Sequence, residues 1–262
     1  YLSFRSKTIY TAAELDKFIN NNTVSTSKLR GLGSSLKDAE NKYGVNALIM
    51  LGVAMNESAL GTSYYAMTRN NLFGIAAFDS DPNQATTFKT PGDSVLEFAK
   101  NYISAGYADP ADWRYYGGFV GNKYRGVNIK YASDPYWGEK AAQHAYSIDK
   151  YLSGGNTNLK DSNSKFIGMV KGSSVVIDGS GRELYKISTS LNDYASYSDI
   201  PFVINSVQKV NINGKEYYEI NPEITNQLYS NNQINNFDGN YNWNVKGYVL
   251  ASDVTTLNVF TP

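Results

Sequence analysis

Residues 47–57 read Ala-Leu-Ile-Met-Leu-Gly-Val-Ala-Met-Asn-Glu, and they form the most apolar helical pattern in this chain of 262 residues. No polar side chain interrupts the run before Asn56, so a helix built from it is apolar on every side. A helix of that kind is stable only when the rest of the fold surrounds it. We therefore expect a central buried helix that begins near Asn46 and ends in a carboxylic acid, Glu57.

Helical patterns precede and follow this stretch. The spacing of Thr11 and Glu14 is that of a capping box and predicts a helix over about 11–21, and a second helix is expected over about 33–43. Thr90 and Pro91 have the character of a cap and a first helical residue, so another helix begins there. A last helix is predicted over about 135–152. The turn-rich residues just before Thr90 predict a β-hairpin over about 75–89.

The sequence changes character near residue 155. Short β-compatible runs then alternate with turn signals such as Asp178-Gly179, a pattern typical of a small sandwich or barrel. The Gly-, Asn- and Ser-rich stretch between the two halves predicts a flexible linker. We therefore divide the chain into a mainly helical domain at 1–153, a linker at 154–165 and an all-β domain at 166–262. The expected strands are 166–170, 174–177, 184–187, 202–204, 215–220 and 247–250.

Composition excludes several classes of protein and site. The chain has no cysteine, which excludes disulfides and thiolate metal sites, and its one histidine, His144, argues against a zinc cage or a histidine-based triad. The 24 basic and 24 acidic residues balance, so nucleic acid is not an expected partner. No apolar run reaches the roughly 18 residues that a membrane span needs. The 22 tyrosines suit contact with sugar rings or with wet interfaces.

Glu57 is the residue best suited to chemistry. At a helix C-terminus its carboxylate faces the negative end of the helix dipole, and partial burial penalises the charged form, so both effects raise its pKa. A carboxylic acid that keeps its proton near neutral pH can protonate the leaving oxygen of an acetal. An ordinary solvated glutamate at a helix end is the alternative that position alone leaves open.

The residues around Glu57 resemble a known family. The blocks that carry the resemblance are Asn-Glu-Ser-Ala-Leu-Gly-Thr-Ser at 56–63, Asn-Asn-Leu-Phe-Gly-Ile at 70–75 and Tyr-Ala-Ser-Asp-Pro-Tyr-Trp-Gly-Glu-Lys at 131–140. Together they are similar to the signature of bacterial peptidoglycan endo-β-N-acetylglucosaminidases, glycoside hydrolase family 73. Residues 4–15 resemble the opening of the long, autolysin-type members, and the whole resemblance spans residues 1–152.

The resemblance implies a fold, an activity and a location. The fold would be α+β and lysozyme-like, mainly helical, with a small β-hairpin lobe beside a long groove. Glu57 would be the general acid on peptidoglycan glycan strands, which alternate N-acetylglucosamine and N-acetylmuramic acid and would be cut after N-acetylglucosamine. The protein would be a secreted, cell-wall-associated autolysin of cell separation or wall turnover. No metal or cofactor is implied, and a monomer is the default expectation.

Neither the resemblance nor the local pattern selects a second catalytic group. Asp79 and Asp81, in the turn of the expected hairpin, are the main candidates for a base or nucleophile, although both also suit a turn. Asp109 and Asp112 are further candidates. A substrate-assisted route, in which the acetamide of the sugar attacks, would need only Glu57 and a polarising tyrosine.

The closing block departs from the family at one position. Where many members have a tyrosine, this sequence has Trp137, with Tyr136 just before it. If the family tyrosine positions sugar or water, Tyr136 or Tyr131 takes that role here, or Trp137 replaces it by stacking. Packing of the last helix is the alternative role for Trp137.

Aromatic rings and amides supply the candidates for substrate binding. Tyrosine and phenylalanine rings suit the walls of a sugar-binding groove, and asparagine amides suit acetamido groups, but packing and turn capping explain the same residues. The candidates are Phe73, Tyr116, Tyr124, Tyr131, Tyr136, Trp137, Asn70 and Asn71.

The second half resembles a bacterial SH3-type wall-binding module. The resemblance rests on Gly-Lys-Glu-Tyr-Tyr-Glu-Ile at 214–220 and Val-Lys-Gly-Tyr-Val-Leu at 245–250. It implies binding of wall peptide stems or wall polymers in a shallow aromatic groove. Packing against the catalytic domain is an equally open role.

Three other functions remain open. A lytic transglycosylase would use a lone glutamate and leave an anhydro-muramic end, and a muramidase would expose muramic acid instead. From a different class, the chain could be a wall-binding protein that does not cut. Retention of Glu57 inside an intact motif argues against the last of these.

Overall fold

The first part of the chain is helical. The structure, a computed structural model, describes residues 1–76, 85–170, 174–187, 200–225 and 238–257. A π-helical segment, Phe98–Tyr107, directly follows the helix Pro91–Glu97 and is kinked at Ala105 and Gly106. The α-helices are α1 Ala12–Asn22, α2 Gly33–Tyr43, α3 Ala47–Glu57, α4 Tyr64–Arg69, α5 Pro91–Glu97, α6 Trp137–Leu152 and α7 Lys160–Asn163. Within the described residues, no helix has the length and apolar character needed to cross a membrane.

The apolar helix α3 lies at the centre of the helical part, as the sequence predicts. Every residue from Ala47 to Met55 is buried. Asn46 caps the helix by accepting hydrogen bonds from the backbone N–H groups of Leu48 and Ile49. Gly52 lets α6 approach closely, because a Cβ there would lie 2.7 Å from the carbonyl oxygen of Ala141. The close contact of α3 with α6 positions the candidate site.

Two helix starts confirm the sequence signals. Thr11 and Glu14 form a complete capping box at α1, and Thr90 and Asp93 form another at α5, where Pro91 is the first helical residue. The last helix begins at Trp137, slightly later than expected, because Asp134 accepts a hydrogen bond from the Tyr136 backbone N–H in a preceding turn.

The expected hairpin over 75–89 falls largely on residues 77–84, which lie outside the described residues. Its flanks meet, since the Thr86 N–H donates to the Ile75 carbonyl at 3.0 Å. The Asn71 amide donates to both Ile75 and Thr86 carbonyls and accepts from the Ile75 N–H, so one buried side chain joins the flanks. Asn71 therefore fixes the ends of this segment.

An antiparallel sheet forms the second part. The strands are β1 Phe166–Val170, β2 Ser174–Ile177, β3 Glu183–Ile187, β4 Ile200–Ile204, β5 Val210–Ile212, β6 Lys215–Ile220, β7 Gly247–Leu250 and β8 Val254–Thr256. Their order in the sheet is β3-β2-β7-β6-β4-β1-β8, with β5 paired to β6, and the sheet buries a second apolar core that includes Phe202 and Val249. The mixed helix and antiparallel-sheet class expected from the sequence is confirmed.

The segment expected to be a flexible linker contains an anchored helix instead. The buried carboxylate of Asp149 on α6 accepts hydrogen bonds from the backbone N–H groups of Asp161 and Ser162, and from the Ser162 and Tyr10 hydroxyls. Asp161 in turn accepts from the Ile9 N–H at 2.7 Å. The sequence pattern of small polar residues did not reveal these partners, because they come from α6 and from the N-terminal segment.

Arg5 joins the two parts of the chain. Its buried guanidinium donates to the carbonyl oxygens of Glu223, Tyr43 and Ser104 at 3.0, 2.8 and 2.9 Å. The Tyr241 ring covers it, with 4.5 Å between the ring centroid and Cζ. One side chain from the start of the chain therefore binds both the helical part and the segments that flank β6 and β7.

Glu223, which follows β6, also binds residues of the helical part. Its carboxylate accepts hydrogen bonds from the Tyr115 hydroxyl and from the Gly118 N–H, the latter at 2.8 Å. Its own N–H donates to the Tyr185 hydroxyl of β3 at 3.0 Å. We call Arg5, Glu223, Tyr115 and Tyr185 the seam cluster; all four are buried, so the two parts share one polar network.

Candidate active site

Glu57 ends α3 at a sharp reversal of the chain. Ser58 closes the helix by donating from its hydroxyl to the Ala54 carbonyl, and Ala59 and Leu60 adopt positive φ values of 49° and 58°. This conformation is uncommon for residues other than glycine, and it turns the chain away from the helix axis. The Glu57 side chain is left half-buried at the helix end.

Two aromatic side chains hold the Glu57 carboxyl. The indole N–H of Trp137, the first residue of α6, donates to Oε1. The Tyr131 hydroxyl lies near enough to the same carboxyl to lower its pKa. Asn56 adds a long contact from Nδ2 at 3.4 Å. The two rings also contact each other, with 4.6 Å between their centroids. The packing of α6 on α3 thus brings the closing block of the sequence to the acid.

The surroundings of Glu57 favour its protonated form. Burial raises its pKa above the ordinary value, and the hydrogen bonds from Trp137, Asn56 and Tyr131 oppose that rise without cancelling it. Burial, followed by the charge of Glu57, also raises the pKa of Tyr131, so its hydroxyl stays a donor. The site therefore combines an acid whose pKa is raised with polar groups that stabilise the carboxylate once its proton has left.

Phe73 supports the site from within the core. Its ring stacks on Phe98 with 4.2 Å between centroids and is only 4% exposed. Phe98 contacts the Tyr131 ring edge-on at 5.8 Å, and Tyr107 does so at 5.6 Å. The structure thus places Phe73 behind the Tyr131 ring, where it packs.

The two candidate asparagines hold backbone. Asn70 donates to the carbonyls of Phe88 and Lys89 at 3.1 and 3.2 Å. Asn71 is 1% exposed and uses its amide to join the hairpin flanks described above. Both amide nitrogens are therefore occupied by protein carbonyls.

The remaining candidate rings are exposed or partly exposed. Tyr124 and Tyr136 are 74% and 65% exposed, and neither is hydrogen-bonded to Glu57. Tyr116 lies at the boundary with the sheet, where Lys130 is 5.6 Å from its ring centroid. Sequence reasoning missed Trp113, which is 72% exposed and lies 6.0 Å from the same lysine. The signal in the sequence that could have identified it is a lone tryptophan in a polar turn.

The candidates for a second catalytic carboxylate divide into two groups. Asp79 and Asp81 lie outside the described residues. Asp109 is buried and accepts from the Thr225 hydroxyl at 2.8 Å, and Asp112 forms a two-bond ion pair with Arg114. Asp109 and Asp112 are thus engaged in structural contacts. Among the described residues, no group of three or more histidine or acidic side chains is placed to hold a metal ion.

Much of the helical part matches a known family. Residues 33–150 match the family model described as "Glucosaminidase: Mannosyl-glycoprotein endo-beta-N-acetylglucosaminidase". Over 152 residues, 56% of the chain, the sequence is 40% identical to a putative endo-β-N-acetylglucosaminidase of Streptococcus pneumoniae TIGR4, and this covers 22% of that protein. Over 140 residues, 48% of the chain, it is 27% identical to a β-N-acetylglucosaminidase of Bacillus subtilis 168, and this covers 16% of that protein. The chain spans about a fifth of the curated relatives it matches.

Solved structures of Staphylococcus aureus autolysin E also match the chain. A catalytic mutant in complex with the disaccharide NAG-NAM aligns at a TM-score of 0.42 with 18% identity, covering 58% of this chain and 72% of that one. Autolysin E without a named ligand aligns over the same shares at a TM-score of 0.40 with 20% identity.

Proposed function

Because residues 33–150 match the glucosaminidase family model, we propose that the chain is a glycoside hydrolase of peptidoglycan. It cuts the β-1,4 bond after N-acetylglucosamine, and Glu57 is the general acid. The observation that carries the proposal is the half-buried Glu57 carboxyl, whose raised pKa and indole hydrogen-bond donor suit proton delivery. The extracellular cell wall is the location of such an enzyme, and glycan strands are its partner.

Glu57 delivers its proton to the glycosidic oxygen as the bond breaks. The carboxylate that forms is then stabilised by the Trp137 N–H and the Tyr131 O–H, which interact more strongly with the charged form than with the neutral acid. Because this gain arises only as the proton leaves, it lowers the barrier instead of merely holding the substrate.

The opposite face of the sugar receives either water or the acetamide of the substrate. Asp79 and Asp81 remain the candidate bases for an activated water. For a substrate-assisted route, Tyr131 is a better candidate than Tyr136, because its hydroxyl already reaches the acid whereas Tyr136 is exposed.

The contacts of the other candidates support two different roles. An exposed ring can stack on a sugar, which supports Tyr124 and Tyr136 as binding residues. Tyr116 packs against the sheet core and is only partly exposed, so it is the weaker candidate. The buried contacts of Asn71 and Phe73 support a role in holding the site in shape.

Product analysis tests the proposed reaction. Purified peptidoglycan is digested, the new reducing ends are reduced with borohydride, and the products are identified by mass spectrometry. We expect N-acetylglucosaminitol ends. Muramitol ends would make the protein a muramidase and anhydro-muramic ends a lytic transglycosylase, while wall binding without any new end would leave a wall-binding protein.

Replacing Trp137 with phenylalanine is expected to shift the pH dependence of hydrolysis. The variant keeps most of the ring packing but loses the N–H that favours the Glu57 carboxylate, so the pKa of Glu57 rises further. Because the acid acts in its protonated form, kcat/KM should fall at a higher pH in Trp137→Phe than in the unaltered protein. The pH profile of kcat/KM measures this shift.

A matched tryptophan serves as the control for that experiment. Trp243 also donates its indole N–H, to the Glu40 carbonyl at 3.0 Å, but it does not contact Glu57. Trp243→Phe should leave the pH profile in place. A profile of Trp137→Phe that is unmoved, or displaced to lower pH, would contradict the role given to the indole.

The second part of the chain has a structural role in this proposal. We retain the division into 1–153, 154–165 and 166–262, with the last as an SH3-like module. The contacts of Arg5 and Glu223 support packing against the catalytic part as one role of the module. Binding of wall peptide stems is a second role, compatible with the first.

A further inference from the structure

A cleft of about 470 Å³ lies between the two parts of the chain, apart from the Glu57 site. The N-terminal segment, the end of α7, the end of β4 and the loop before β7 contribute its walls. Among the described residues, three lysines, Lys7, Lys165 and Lys246, line it and no acidic residue does. We call it the lysine cleft.

Local contacts hold each of the three ammonium groups. Lys165 is bound by Asp161 at 3.2 Å, and Lys246 lies 3.6 Å from a Glu219 oxygen. Lys7 lies over the Trp243 ring, 4.8 Å from the centroid, and no carboxylate in the described part of the chain is within 4.0 Å of it. Ordering these long side chains in advance lowers the entropy cost of binding a ligand.

The type of cation indicates the type of ligand. Asp161 and Glu219 offset two of the three lysine charges. The ammonium group of Lys7 has no carboxylate within 4.0 Å among the described residues, so an anion in the cleft gains most from that group. Arginine is the usual partner of planar carboxylates, whereas lysines act as point charges and commonly bind phosphate.

We propose that the lysine cleft is a phosphate-binding site. Its ligand is a phosphate group, either free or part of a phosphodiester polymer, contacted by the ammonium groups of Lys7 and Lys246 and by the positive field of Lys165. The cleft shares no residue with the Glu57 cluster, so the proposal does not depend on the proposed hydrolytic function.

Calorimetric titration tests the site with two probes, inorganic phosphate and a glycerol-phosphate oligomer, at fixed ionic strength. The test variant is Lys7→Met with Lys246→Met. Lys165 is left in place, because its loss would strand the buried carboxylate of Asp161. We expect the double variant to raise Kd at least about tenfold, since charge-assisted contacts are the strong ones.

A second pair of lysines serves as a control that distinguishes an effect of the cleft on Kd from an effect of net charge. Lys209 and Lys215 line another cleft on the sheet, together with Glu216, so Lys209→Met with Lys215→Met makes the same change in net charge. This control should change Kd by less than about twofold, because a screened distant charge contributes little.

The outcomes are distinct. Tighter binding of the oligomer than of inorganic phosphate supports the site with a phosphodiester polymer as its ligand, and equal binding supports it with free phosphate. The proposal is overturned if the unaltered protein binds neither probe at about 10 mM, a concentration that detects even millimolar affinity. Equal weakening by the two double variants overturns it as well.

Discussion

Glu57→Gln is expected to slow hydrolysis of peptidoglycan by about 10²–10⁴-fold, the contribution of a positioned general acid. Glutamine has nearly the same shape, and its Oε1 still accepts the hydrogen bond from the Trp137 N–H. The amide has no acidic proton, so KM should change little while kcat falls. Release of reducing ends from purified peptidoglycan, measured over a range of substrate concentrations, gives kcat and KM separately.

A neighbouring glutamate provides the control. Glu139 lies exposed in the first turn of α6, two residues after Trp137, and is not hydrogen-bonded to Glu57. Glu139→Gln should keep full activity, and thermal unfolding should show that Glu57→Gln is as stable as the unaltered protein. Full activity in Glu57→Gln would show that Glu57 is not the general acid, even if the products remain those of a glucosaminidase.

Arg5→Ala is expected to lower the free energy of unfolding by about 3–5 kcal/mol, as removal of one member of a buried charged network does. The change leaves the carbonyls of Glu223, Tyr43 and Ser104 without their donor, in a region closed to water. It also removes the cation beneath the Tyr241 ring. Urea unfolding followed by both fluorescence and circular dichroism measures the loss.

A second arginine tests whether burial is the reason for the large loss of stability expected in Arg5→Ala. Arg30 also donates to three carbonyls, those of Val24, Asn20 and Thr23, but it remains partly exposed and joins only one local segment. Arg30→Ala should cost about 1 kcal/mol or less, because water replaces the lost donor. If the two variants lose the same stability, Arg5 does not join the two parts of the chain in the way we describe.

Local patterns predicted most elements of this fold. Helix α2 and strands β1, β2, β6 and β7 have the expected bounds, since alternation, apolar runs and turn residues act over a few neighbours. Strands β5 and β8 were not predicted. Each has three residues, too few to show a period, and each forms only because a partner strand is already in place.

The acid could be predicted from the sequence, but its partners could not be ranked. Glu57 follows from an apolar helix with a carboxyl at its end, which is a local fact. That Trp137 and Tyr131 hold it, while Tyr136 is exposed, depends on the way in which α6 packs on α3. The role of Arg5 in joining the two parts could not be predicted either, because its partner Glu223 lies 218 residues away.

The seam cluster also bears on how such a chain can be recombined. A gene fusion that joined residues 1–153 to an unrelated module would keep Arg5 and Tyr115 but discard Glu223 and Tyr185. The donors left behind would face a foreign surface with no acceptors arranged for them, and the new protein would inherit an instability at its junction. Such a lineage can exchange its β module only for one that supplies equivalent partners to Arg5 and Tyr115, so the unit of inheritance includes both parts of the chain.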